Sequence, residues 1–228
     1  MENKLLIFNM KTIMNIQNIS TYLKEVPSLP SNAIVCPEMI YVPYFIGKYK
    51  VALQNVYFNG SYTGEVNVSH LKKMGIDYVV VGHSERRNVF NESNDLINQK
   101  VKACLDNNIK VILCIGETLE EREQGNTFGV LKEQIEECLK DIDSKDIIIA
   151  YEPVWAIGTG KTPSVDDIKN TIDYIKKICH NLIVVYGGSV NKNNISSLNN
   201  INGVDGFMIG KSSTIVDEVK KIIEVVNG

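Results

Sequence analysis

The chain has little tryptophan, little histidine and no excess of positive charge, and each scarcity narrows what it can do. Of its 228 residues one is tryptophan and three are histidine, and 24 Lys and Arg stand against 27 Asp and Glu, a formal net charge of −3. Such a surface offers no general attraction to nucleic acid or to an anionic membrane. Neither is expected as a partner, and an anionic ligand has to be held by local groups. The four-residue apolar run before Asn9 is too short for a signal-peptide core, and no later run approaches a membrane span. A soluble, cytoplasmic protein is expected. The five cysteines, Cys36, Cys104, Cys114, Cys138 and Cys179, are odd in number and form no CxxC pair, and the one histidine beside any of them is His180. They read as reduced, mostly buried thiols.

What is present supports a large core: 44% of the residues are hydrophobic and 22% charged. No linker, repeat or low-complexity block divides the chain, so residues 1–228 are expected to form one domain. Apolar, β-branched runs at 5–10, 33–36, 51–55, 78–82, 110–116, 147–151, 182–187 and 206–210 alternate with charged segments of helical period. That is the pattern of βα units around a parallel sheet. Runs such as DYVVVG and KVILCIG are apolar throughout, which suits strands covered on both faces. Eight units of about 28 residues each fit a compact eightfold (β/α) barrel at the short end of its range.

Between the strands, Thr118 three before Glu121 is a capping box, and Leu131, Ile135 and Leu139 keep helical spacing after it. Ser164 and Asp167 mark another helix start. Residues 56–69 hold two glycines and no sustained period before a short helix near Ser69, and loops of that length are usually functional. His70, in that short helix, and His180, at a helix end, read as surface or capping residues.

In a barrel of this kind chemistry belongs at the carboxyl ends of the strands. Asn9 and Lys11 bracket the end of the first, His83 follows the fourth and Glu152 the sixth. Singly, each reads more readily as a solvated charge or a structural histidine; together they lie on one predicted rim. The same rim carries the glycine turns WAIGTGK, YGGSV and MIGKSS. Turns of this type either serve geometry alone or leave backbone N–H groups open to a phosphate.

In chain order, FNMK, YTGE, GHSERR, CIGE, AYEPVWAIGTGKTP, YGGSV and VDGFMIG resemble the triosephosphate isomerase family across nearly the whole chain, and GHSERR and AYEPVWAIGTGK are the most specific of them. The resemblance implies interconversion of dihydroxyacetone phosphate and glyceraldehyde 3-phosphate through an enediol(ate), with no redox or metal cofactor. By the same resemblance Glu152 is the base for the carbon proton, its pKa raised by desolvation. His83 is a neutral electrophile at a helix N-terminus, Lys11 the cation and Asn9 a nearby donor. Glu85 resembles the carboxylate that supports the site from behind, and reads equally well as the partner of a neighbouring arginine. Residues 153–162 resemble the family's closing loop, with Trp155 packing at one hinge. The phosphate is expected at the N–H groups of Gly158, Ser189, Gly210 and Lys211. The family most often has a second glycine where Lys211 stands, and the lysine side chain is expected to point away while adding positive charge. Met10 replaces the usual tryptophan, a change of packing. Residues 58–65 resemble a loop that enters a second subunit, Thr63 reaching the neighbour's Asn9 and Lys11 and Glu65 pairing with Arg86, in an isologous homodimer. The competing reading is a phosphate-binding barrel homologue without turnover.

Overall fold

The computed structural model describes residues 3–58, 60–157 and 162–228. Eight strands form a closed barrel in chain order: β1 (Leu5–Asn9), β2 (Ala33–Cys36), β3 (Lys50–Leu53), β4 (Tyr78–Val81), β5 (Lys110–Ile115), β6 (Ile147–Tyr151), β7 (Ile183–Tyr186) and β8 (Gly206–Ile209). Every pairing is parallel, and β1 closes on β8 with Leu6 opposite Phe207 and Phe8 opposite Ile209.

Successive side chains of a strand point to opposite faces. Alternate residues therefore fill the inside of the barrel, among them Ile7, Ile34, Val80, Ile112, Val185 and Met208. The intervening ones, such as Leu6, Phe8, Val79, Leu113 and Ile149, pack outward with the apolar faces of the surrounding helices. Both faces are thus dry, which is why the strands are apolar throughout. All five cysteines are buried and free.

The outer layer consists of α1 (Ile16–Glu25), α2 (Val42–Phe45), α3 (Ser84–Asn88), α4 (Asn94–Asp106), α5 (Leu119–Glu123), α6 (Thr127–Cys138), α7 (Val165–Ile178), α8 (Ile195–Asn199) and α9 (Val216–Asn227). Both expected helix starts are present. Thr118 and Glu121 form a reciprocal capping box, and the Ser164 hydroxyl accepts the Asp167 N–H. Two expectations need correcting. The helical stretch beginning at Thr118 is two helices, because Gly125 adopts φ 72° between α5 and α6. In place of a short helix near Ser69 there are two 3-10 turns, Val68–His70 and Lys72–Met74. Only Val68 and Leu71 of that segment are buried, too few to seat a longer helix. His70 and His180 are exposed. Among the described residues, no helix is long and apolar enough to cross a membrane.

Candidate active site

The strand ends bring the expected residues to one rim. Asn9 is the last residue of β1 and is almost fully buried. Two residues on, Lys11 turns into the left-handed region at φ 49°, its N–H donating to Asn9 Oδ1 at 3.2 Å. Gln54 fixes this corner, its amide donating to the carbonyls of Lys11 at 2.8 Å and Cys36 at 2.9 Å. No sequence signal marks Gln54. The Lys11 ammonium meets Glu85 at 2.5 Å, so Glu85 pairs with this lysine rather than with a neighbouring arginine.

His83 reaches the rim because Gly82 turns the chain at φ 71° directly after β4. A Cβ at Gly82 would also crowd the Arg87 guanidinium at 3.0 Å and the Cys114 carbonyl at 3.3 Å. His83 caps α3, and its Nδ1 accepts the Glu85 N–H at 3.2 Å. That nitrogen's lone pair is engaged, so the proton of a neutral ring sits on Nε2. Nε2 lies 3.4 Å from Oε1 of Glu152, the residue following β6. Both side chains are deeply buried, at 6% and 5% exposure. His83 Nε2 and Glu152 Oε2 find no hydrogen-bond partner among the described residues.

The electrostatics differ from expectation in one respect. Burial, the largest single influence on Glu152, raises its pKa, but His83, Cys114 and Lys11 together outweigh it and the net shift is downward. For His83, burial first and then Lys11 lower the pKa, but Glu152 foremost and Glu85 outweigh them, for a net upward shift. Contact between the two groups is the common cause, because each stabilises the other's charged form. The neutral imidazole expected from the helix N-terminus thus meets an opposing pull from Glu152. Cys114 is an unforeseen member of the site. Burial, and then Glu152, push its thiol well above the ordinary range, so it remains an S–H donor toward the carboxylate.

Beside Glu152 a cavity of about 270 Å³ is lined by Asn9, Lys11, Ser189, Gly210 and Lys211 as well as by Glu152 itself. Gly187 borders it where no larger residue fits, since a Cβ there would lie 2.7 Å from Glu152 Cγ. A second cavity of about 290 Å³ shares Asn9 and Lys11 and is lined further by Gln54, His83, Glu85 and Phe90. Gly158, the remaining expected phosphate contact, lies outside the described residues. Among those described, no group of three or more His, Cys, Asp and Glu side chains is placed to hold a metal ion.

After Glu152 the chain enters the 3-10 turn Val154–Ala156. Trp155 is held there by more than packing. Its indole N–H donates to Glu117 at 2.9 Å, and the Arg122 guanidinium stacks on its ring at 4.6 Å. Glu117 is fully buried and also accepts from the Tyr151 hydroxyl at 3.3 Å, while Arg122 continues to Asp167 at 3.2 Å, at the start of α7. Glu117 stands 34 residues from Tyr151 and 38 from Trp155, and neither it nor Arg122 carries a local pattern that marks this role.

A closed eightfold barrel with a buried carboxylate and imidazole in contact at its carboxyl rim defines a barrel enzyme with an acid–base centre. Comparison with known proteins narrows the class. Residues 4–226 match the family model described as triosephosphate isomerase, and the chain belongs to that family. Among curated relatives named triosephosphate isomerase, that of Mycoplasmoides gallisepticum is 48% identical over 182 residues, 75% of this chain and 72% of the relative. Those of Fusobacterium nucleatum and Alkaliphilus metalliredigens are 45% and 43% identical, over 78% and 77% of this chain and 76% and 77% of their own.

Proposed function

We infer that this chain is an isomerase that interconverts dihydroxyacetone phosphate and D-glyceraldehyde 3-phosphate, with Glu152 as the base. The observation that carries the assignment of roles is the buried pair itself. Glu152 and His83 are buried 3.4 Å apart between two cavities that share Asn9 and Lys11, and Glu152 Oε2 and His83 Nε2 have no hydrogen-bond partner among the described residues. Buried polar atoms left unpaired cost stability, and they persist where a ligand completes them.

Glu152 removes a proton from the carbon next to the substrate carbonyl. The electrons of that C–H bond form the C=C of the enediolate, and the carbonyl oxygen takes the negative charge. The His83 Nε2–H and the Lys11 ammonium face that oxygen, and stabilising charge where it develops is the larger part of such catalysis. After a proton moves between the two enediolate oxygens, the Glu152 carboxylic acid returns its proton to the neighbouring carbon. Asn9 donates beside Lys11. Glu85 holds both Lys11 and, through its backbone N–H, the His83 ring. The phosphate is bound by the N–H groups of Ser189, Gly210 and Lys211, with Gly158 supplying another from the loop that follows Trp155.

The chain acts as a cytoplasmic homodimer. Support comes from exposed apolar side chains near the second cavity's rim and on the neighbouring units: Val89 at 66%, Ile40 at 65%, Phe90 at 60% and Tyr62 at 50% exposure. Thr63 and Glu65 are exposed on a loop in which the rings of Tyr57, Phe58 and Tyr62 pack against one another. Within one chain Arg86 already pairs with Glu92 at 2.6 Å, so a partner's Glu65 joins an existing ion pair.

Glu152→Gln removes the base while keeping shape and hydrogen-bonding capacity. Turnover of glyceraldehyde 3-phosphate is expected to fall by about three orders of magnitude, with the fold and inorganic phosphate affinity largely kept. Near-normal turnover in this variant would refute the assignment.

A further inference from the structure

Around the reacting end of the site the cations are already paired. Lys11, the cation shared by both cavities, is held 2.5 Å from Glu85, Arg86 at the second cavity meets Glu92 at 2.6 Å, and Glu152 adds a further carboxylate. The whole chain carries a net charge of −3. A phosphate monoester carries a charge of about −1.5 to −2 near neutral pH. Such a ligand approaches a protein that repels it at long range and a site whose one central cation is already paired. Some further charge has to favour its entry.

Lys211 is the other cation lining the 270 Å³ cavity among the described residues. It opens the 3-10 turn Lys211–Thr214 directly after Gly210, at the carboxyl end of β8. Its side chain is exposed, and its ammonium has no ion pair or hydrogen bond among the described residues. The nearby Lys192 differs in this respect, being paired with Glu218 at 3.8 Å. Lys211 also lies outside the left-handed backbone region, so a side chain is accepted here without strain.

We propose that the Lys211 side chain is an electrostatic guide for the substrate's phosphate, drawing the dianion into the cavity and holding it there, in addition to the contact made by the residue's own N–H. This rests on the reading of the site as one for triose phosphates. An unpaired ammonium has no competing carboxylate to leave when the phosphate arrives, so its whole attraction goes to the ligand. A dianion about 6 Å from one unit charge in water gains about tenfold in affinity at low ionic strength. Near 0.15 M salt, where the screening length is about 8 Å, that gain falls to about threefold. A focused positive charge at a cleft mouth raises association rates in the same salt-dependent way.

The test compares the full chain with Lys211→Met and Lys211→Arg. Inorganic phosphate binding is measured by calorimetry at about 10 mM and 150 mM salt, and KM and kcat with glyceraldehyde 3-phosphate under the same conditions. Lys211→Met is expected to weaken phosphate binding about tenfold at low salt and about threefold at high salt, with KM following and kcat falling by much less. Lys211→Arg, which keeps the charge, is expected to retain both the affinity and its salt dependence. Unchanged phosphate affinity and salt slope in a folded Lys211→Met would overturn the proposal. So would a Lys211→Arg as weak as Lys211→Met, since shape rather than charge would then matter. If phosphate binding follows the expected pattern but the unmodified chain does not isomerise triose phosphate, the isomerase reading fails and the role of Lys211 as a phosphate guide stands. Rapid isomerisation with no effect of Lys211→Met on phosphate keeps the isomerase and removes the guide.

Discussion

Replacing Gly187 with alanine tests the site through a single methyl group. An added Cβ would sit 2.7 Å from Glu152 Cγ and 3.4 Å from both Glu152 Oε1 and the Met208 Cβ. Carbon atoms settle at about 3.5 to 4.0 Å, so the Glu152 side chain has to retreat by about 1 Å. It has little room. Its backbone N–H is fixed to the Ile115 carbonyl at 2.7 Å, its far side meets His83 at 3.4 Å, and the side chain is deeply buried. The carboxylate therefore leaves its present position instead of the methyl being absorbed by loose neighbours. A displacement of about 1 Å at a reacting group costs about a hundredfold in rate. An overpacked methyl costs about 1 to 3 kcal/mol of stability, small enough to keep the fold. Initial rates of glyceraldehyde 3-phosphate isomerisation, run beside a thermal melt and a phosphate titration, separate these effects. The expected result is kcat lower by about two orders of magnitude in a folded protein that still binds phosphate. A folded Gly187→Ala with kcat within about threefold of the unmodified chain would show that the position of this carboxylate does not set the rate.

Two further outcomes follow from the same geometry. The lowered pKa of Glu152 means that the base stays ionised below the ordinary carboxylate value of 4.5, so the limb of kcat/KM that Glu152 itself sets lies below that value and is lost as pH falls through the lowered pKa. In His83→Gln the largest of the influences that lower it is gone, while Cys114, Lys11 and burial remain; the Glu152 limb of the residual activity moves to higher pH, and a pH–rate profile with an unmoved limb refutes the coupling. For assembly, sedimentation of the chain at assay concentrations is expected to read the mass of two copies related by an isologous contact, and a fully active species with the mass of one removes the dimer.

The barrel is legible in the sequence because a strand buried on both faces must be apolar along its whole length, and eight such runs stand out between charged segments. All eight are strands, yet several end one residue early. The apolar runs extend to Gly82, Gly116, Gly187 and Gly210, and each of these lies just beyond the ladder where the chain turns onto the rim. Glycine marks the turn in sequence, but not on which side of the last ladder hydrogen bond it falls. Strand-end position and family resemblance put Lys11, His83 and Glu152 on one rim, and the structure brings them together. Gln54 and Arg122 are silent in the sequence, and Cys114 and Glu117, though they lie in the CIGE motif, are given no role by it. Gln54 is 43 residues from the Lys11 carbonyl it supports, and Glu117 is 38 residues from Trp155. An amide, a thiol and an ion pair carry no local pattern; they matter only once barrel closure brings distant strand ends together. The direction of the Glu152 shift is hidden for the same reason. Burial of a strand-end carboxylate can be read from its neighbours in sequence, but the imidazole that overrides it comes from a strand two units earlier.

That override bears on how the proposed base gains its strength. A carboxylate held below its ordinary pKa is a weak base, poorly matched to taking a proton from carbon. Its pKa is low because His83 Nε2, Cys114 and Lys11 favour its charge. A substrate whose carbonyl oxygen accepts from His83 Nε2–H and is faced by Lys11 draws two of those three groups away from Glu152. The contribution left largely unopposed is burial, which raises the pKa. The Glu85 N–H donated to Nδ1 keeps the ring's remaining proton on Nε2, aimed at the oxygen where charge develops. On the proposed reading, the contact that favours the Glu152 charge is the one that the substrate's oxygen takes over. Base strength and oxyanion stabilisation then appear together, and only with substrate in place.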